Sequence, residues 1–188
     1  MVRAAWRAAM TGIDPSRFVF LDETSTPITL TPLRARAARG ERAVGQVPRG
    51  QRPHIAWRAT LTPSGLGESL VVRGTVDQRV FAAFVERVLV PSLHPGQLVI
   101  LDNLAVHKSA RARALIAAAG CHLVFRPPYS PDFNPIEQAF AKLKQALRRR
   151  GARSWDAVVA TVADLVPAIT SAAAQAFFAD AGFPLTVQ

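Results

Sequence analysis

Three apolar runs, "FVFLDET" (Phe18 to Thr24), "QLVILDN" (Gln97 to Asn103) and "CHLVFRP" (Cys121 to Pro127), constrain this chain more than any other feature. Each apolar core is a handful of residues, too short for a buried helix and bounded by polar or turn residues, which is the pattern of a buried strand. Two further strands, "HIAWRATLT" and "GESLVVRG", are separated by the turn "PSG" and form an antiparallel pair, with Gly65 and Gly67 as turn residues. Helical spacing appears in "VDQRVFAAFVERVLVPSL" through Val80, Phe81, Phe84, Val88 and Leu89. It returns in "SARARALIAAAG", closed by Gly120, and in the segment that begins near Pro135. The order is three strands, helix, strand, helix, strand, helix. Alternation after an antiparallel start implies an α/β fold, a mixed sheet flanked by helices.

Outside this series, residues 1–10 read as a short Ala/Arg helix and "GIDPS" breaks it. Strand one is expected to end near Asp22. Thr24 to Arg52 reads as a cation-rich loop or irregular hairpin, and Ser154 to Phe183 as one or two Ala-rich helices broken near Pro167. This gives a helical lead-in at 1–17, a main α/β unit at 18–150 and a C-terminal helical extension at 151–188.

Several function classes drop out. The lone cysteine, Cys121, excludes an intrachain disulfide and a multi-cysteine zinc site, and in "CHLVF" it reads as a core residue. His54, His94, His107 and His122 lack paired metal spacing, and "GLGESL" lacks the last glycine of a dinucleotide loop. No apolar run reaches the roughly 18 residues of a membrane span, and residues 1–10 lack the apolar centre of a signal peptide. A cytoplasmic protein is expected. The net charge of +10 on 188 residues points to polyanions, nucleic acid above all.

In open sheets, sites gather at the carboxyl ends of strands, where Asp22 and Asp102 fall. Side chains alternate along a strand, so Asp22 and Glu23 point in opposite directions, as do Asp102 and Asn103. Glu137 admits two readings. With Asn134 as N-cap and Pro135 at N1, it sits at N3 of a capping box; equally, it could complete a set of carboxylates. At about 100° per residue, Ile136, Phe140, Leu143 and Leu147 form a buried stripe, while Lys144 and Arg148 fall within about 20° of Glu137. Such a cationic row suits a phosphodiester beside carboxylates, and it also suits an ordinary solvated face.

Together "FLDET", "VILDNLAVHKS" and "RPPYSPDFNPIEQAFAKLKQALRR" resemble the catalytic domain of DDE transposases, in the mariner superfamily and related bacterial insertion sequences. The likeness runs from about Phe18 to Arg150, and 34 residues separate Asp102 from Glu137, an interval characteristic of that branch. It implies a ribonuclease H-like fold and metal-dependent DNA strand cleavage and strand transfer at insertion-sequence ends. The alternative is a catalytically silent remnant that binds DNA or a partner chain.

By position, Asp22, Asp102 and Glu137 resemble the metal-binding catalytic triad, which implies Mg²⁺, with Mn²⁺ as substitute, as two ions. Asn103, Tyr129, Ser130 and Asn134 match family motifs and are given supporting roles, and His107 and Lys108 are placed near phosphate. Arg49, Arg52, Lys144 and Arg148 are chosen for DNA-backbone contacts, which position DNA without reading sequence. The resemblance also implies transposon ends and target DNA as partners, a homo-oligomer on DNA and a bacterial, nucleoid-associated location. About 17 residues precede strand one, too few for a helix-turn-helix module, so end recognition is expected from an upstream-frame chain or fusion.

Overall fold

The computed structural model describes residues 2–32, 34–46, 48, 54–74, 77–104 and 109–185. Five strands form one sheet, β1 (Phe18–Pro27), β2 (His54–Thr62), β3 (Gly65–Arg73), β4 (Leu98–Leu101) and β5 (His122–Phe125), in the order β3-β2-β1-β4-β5. The β1–β2 and β2–β3 pairs are antiparallel, whereas β4 runs parallel to both β1 and β5. This is the mixed α/β sheet expected from the order of apolar runs. The β2–β3 turn requires glycine: Gly65 has φ +135°, and a Cβ there would stand 2.8 Å from the Ile169 carbonyl oxygen.

One boundary differs. β1 does not end near Asp22; it continues to Pro27, paired with β2 as far as Pro27↔His54. The continuation "TST" is polar but β-branched in part, so it suits a pleated strand, and Thr24 and Thr26 are buried. The pairing that does stop is the one to β4, which covers Phe18 to Phe20 only. Asp22 therefore lies where β1 and β4 part company, and a gap opens beside it.

The two faces of the sheet have separate cores. Phe18, Phe20, Trp57, Leu98 and Ile100 pack with α4 (Ile136–Arg150), α5 (Trp155–Ala168) and α6 (Ser171–Asp180). Val19, Leu21, Val99 and Leu101 pack with α2 (Gln78–Phe84) and α3 (Ala110–Ala118). After Phe84 the chain widens into a π-turn over Val85–Leu89, which rotates the apolar face; Val85 and Leu89 are buried while Val88 is half-buried. Cys121 is buried in the second core, as expected, with its Sγ donating to the His94 carbonyl at 3.1 Å.

The N-terminal helix α1 (Val2–Thr11) lies against the first face. Trp6 stacks on Phe133 at 5.4 Å and meets Phe183 edge-on, tying the chain start to the loop before α4 and to the C-terminal segment. Pro167 is carried inside the last turn of α5, and α6 follows at 85° to it. Among the described residues no single helix is long and apolar enough to cross a membrane.

Candidate active site

Alternation along two strands sets the site. On β1, Phe18 and Phe20 face α4, so Asp22 does too; on β4, Leu98 and Ile100 face α4, so the next residue in phase beyond the strand is Asp102. Glu23 points to the opposite side, where it pairs at 2.6 Å with Arg58, whose guanidinium covers the Phe81 ring of α2. α4 lies on the Asp22 side through a fully buried stripe of Ile136, Ala139, Phe140 and Leu143, and this presents Glu137 from its first turn.

Asp22, Asp102, Asn103, Tyr129, Ser130 and Glu137 line one open pocket of about 500 Å³. Asp22 is its buried floor. Its Oδ1 accepts the Glu23 amide at 2.7 Å, and its Oδ2 accepts both the Arg126 Nη2 at 3.0 Å and the Asn134 Nδ2 at 2.5 Å. The Asp102 Oδ1 accepts the Leu104 amide at 3.4 Å, a bend that turns the chain away from the end of β4.

The capping box expected at α4 is absent. Pro135 occupies the cap position and makes no side-chain cap bond, because Asn134 has turned its amide inward to Asp22. Donation from Nδ2 to the buried carboxylate fixes the amide's orientation, and its Oδ1, the atom that would accept from a helix N–H, is buried without a hydrogen-bond partner. Glu137 is exposed at the pocket rim, with its carboxyl in hydrogen-bond contact with the Asn134 side chain.

The carboxylates feel one another. Burial pushes the Asp22 carboxyl above its ordinary range; Arg126 and the Glu23 amide pull it down, and the Asp102 charge pushes it up again. Glu137 is also raised, first by desolvation and then by the Asp22 charge, while Lys144 and Arg126 oppose the rise. Lys144 thus sits within electrostatic reach of Glu137, as the helical wheel required, and Arg148 lies half-buried one turn further along. Arg49, Arg52, His107 and Lys108 lie outside the described residues.

All-oxygen donors that repel one another suit a hard divalent cation in type and charge. The donor set fits by chemistry and by its shared pocket. The grouping is looser: among the described residues no three His, Cys, Asp or Glu side chains stand close enough to hold one ion together. The positive charge against Asp22 in this arrangement is Arg126.

Two arginines that sequence reasoning passes over hold the loop between β5 and α4. Arg126 is buried, and its Nη1 donates to the Ser130 carbonyl at 3.3 Å. From the outer side, Arg3 of α1 donates to the Tyr129 carbonyl, the Ser130 hydroxyl and both oxygens of Asp132 at 2.6–3.0 Å. No local pattern signals their ionic partners, since Asp22 and Asp132 lie 104 and 129 positions away.

A family model of DDE superfamily endonucleases matches residues 17–159. No curated protein matches the chain in sequence. Among solved structures, a pre-cleavage Mos1 transpososome aligns at TM-score 0.77 and 14% identity, covering 96% of this chain and 56% of that one. The Mos1 strand transfer complex aligns at TM-score 0.72 and 15% identity, covering 96% and 54%. The catalytic domain of Mos1 mariner transposase aligns at TM-score 0.62 and 15% identity, covering 95% and 81%.

The chain thus spans little more than half of the longer Mos1 chains, and the shared architecture is the expected ribonuclease H-like fold. With a five-stranded mixed sheet, acidic residues at the parting of β1 and β4, and a family match over most of its length, the chain belongs to the DDE superfamily endonucleases.

Proposed function

We propose that this chain is a transposase catalytic domain that cleaves DNA at transposon ends and joins them to target DNA, with Asp22, Asp102 and Glu137 as its metal-binding catalytic carboxylates. The observation that carries the reading is that the three come from β1, the end of β4 and the start of α4, yet line the same pocket. Mg²⁺, or Mn²⁺ in its place, bound there as two ions would activate the attacking water or 3′-hydroxyl and stabilise the leaving oxygen. Mos1 paired-end complexes solved with Mn and with Mg support that choice of ions.

The protein's own part is placement. Asp22 is fixed by three donors and cannot swing, so its remaining lone pair has one direction. Glu137 stands at the rim, raised by desolvation and by the Asp22 charge, with Lys144 beside it opposing that rise. Lys144 and Arg148 provide phosphate contacts that hold the DNA backbone along α4, and Arg49, Arg52, His107 and Lys108, outside the described residues, are further candidates for phosphate contacts. Asn103, Tyr129 and Ser130 shape that mouth, and Asn134 holds Asp22.

The working assembly in this reading is a homo-oligomer on paired ends; the Mos1 transposase paired-end complex with its left transposon end is an assembly of that kind for that protein. Recognition of the end sequence comes from a helix-turn-helix module in an upstream frame, fusion or partner, and the setting is a bacterial cytoplasm. Residues 18–150 form the catalytic unit and 151–188 its extension.

The test is Mg²⁺-dependent nicking and strand transfer on DNA carrying the element's ends, comparing wild type with Asp102→Asn and Glu137→Gln. Both variants should fold and lose both reactions. Normal activity in a folded Glu137→Gln would remove Glu137 from the chemistry, and wild-type binding without any cleavage would point to a silent DNA-binding remnant.

A further inference from the structure

Tyr129 is the side chain that the fold spends effort to expose. Its relative accessibility is 97%, and among the described residues its ring joins no aromatic or cation–π pair. Its backbone sits at φ +54°, in the left-handed region that a bulky residue enters only when its surroundings compel it. Here they do. Arg3 grips the Tyr129 carbonyl at 3.0 Å from outside, while Arg126 grips the adjacent Ser130 carbonyl at 3.3 Å from inside. Pro127, Pro128 and Pro131 stiffen the backbone on both sides. A loop held this firmly around an unburied ring gains nothing in packing from that ring.

Tyr129 stands at the lip of the carboxylate pocket, on a chain whose net charge of +10 attracts a phosphodiester. Bases inside a duplex have both faces covered, so a flat ring at this place can engage only a base at a strand end or one lifted from the stack. We infer that Tyr129 is a preset stacking surface for a single unpaired nucleobase beside the strand being cut, and so a substrate-positioning residue. The inference rests on the DNA-cleaving reading of the pocket and adds to it the form of the substrate, a strand whose end is frayed at the site. Because any base offers a π-face, this contact positions without selecting sequence.

The experiment uses the full chain and DNA with a frayed end carrying 2-aminopurine at the terminal position, with wild type, Tyr129→Phe and Tyr129→Leu. The exposed position tolerates all three, and circular dichroism checks the fold. Wild type and Tyr129→Phe should quench the fluorescence on binding. Tyr129→Leu should not quench, and should bind about 5- to 100-fold more weakly. An abasic terminal nucleotide should weaken wild type by the same factor and leave Tyr129→Leu unchanged.

Equal quenching and affinity in Tyr129→Leu, while wild type still nicks DNA in an Asp102-dependent way, would overturn this inference alone. Failure of wild type to bind the DNA at all would overturn the DNA reading beneath it.

Discussion

Replacing Arg126 by Met keeps most of the side-chain volume and removes the charge facing Asp22. The two side chains are 6% and 10% exposed and meet at 3.0 Å, so Asp22 would be left buried without its ionic partner. Breaking such a pair typically costs about 3–5 kcal/mol. Asp22 has an escape, however, because it can take up a proton. At pH 7 that proton costs an ordinary carboxylate about 4 kcal/mol, namely 1.36 kcal/mol for each of roughly three pH units. The loss is therefore capped below about 4 kcal/mol at pH 7, because burial already raises Asp22 in the wild-type fold, with about 1 kcal/mol more for the abandoned Ser130 carbonyl.

At pH 4 protonation is nearly free, and only the carbonyl term of about 1 kcal/mol should persist. Urea unfolding of wild type and Arg126→Met at pH 7 and pH 4, without divalent ions, reads this directly. A penalty below about 1 kcal/mol at pH 7, or one of equal size at both pH values, would show that Arg126 does not compensate a buried charge at Asp22.

Three other outcomes follow from the same contacts. Arg3→Ala breaks an exposed ion pair, so global stability should change little, while hydrogen exchange quickens at residues 129–133. The Glu137 carboxyl is raised in the fold, so its contribution to stability is complete below about pH 4 and is lost as pH rises through the raised value; melting of metal-free protein should show Glu137→Gln gaining on wild type between pH 4.5 and 7. Leu143 is fully buried beneath α4, and Leu143→Ala should cost about 2–5 kcal/mol in chemical unfolding.

The parts of this protein that sequence exposes are those governed by short-range rules. Period-two alternation puts Asp22 and Asp102 on the face of the sheet that α4 covers, and the 3.6-residue period places Ile136, Phe140, Leu143 and Leu147 in the core with Lys144 beside Glu137. β1 reads too short in the sequence because Thr24 to Thr26 are polar; their burial follows from pairing with β2, whose partner residues lie some thirty positions on. The capping box fails for a related reason. A cap would need Asn134 Oδ1 turned toward the helix amides, and donation from its Nδ2 to Asp22, 112 positions away, holds the amide in another orientation. Arg126 falls inside the quoted motif and Arg3 inside an Ala/Arg helix, and neither place in the chain shows which distant carboxylate the arginine meets. The DDE resemblance locates the carboxylates, and the arginines that fix their surroundings require the fold.

The most direct test of the triad is binding of the ion itself. Mn²⁺ titrations followed by electron paramagnetic resonance, with end-containing DNA present, should show tight uptake by wild type and a loss of at least about tenfold in Asp22→Asn, Asp102→Asn and Glu137→Gln that remain folded. Equal Mn²⁺ uptake by all four proteins would contradict the assignment of these carboxylates as the metal site.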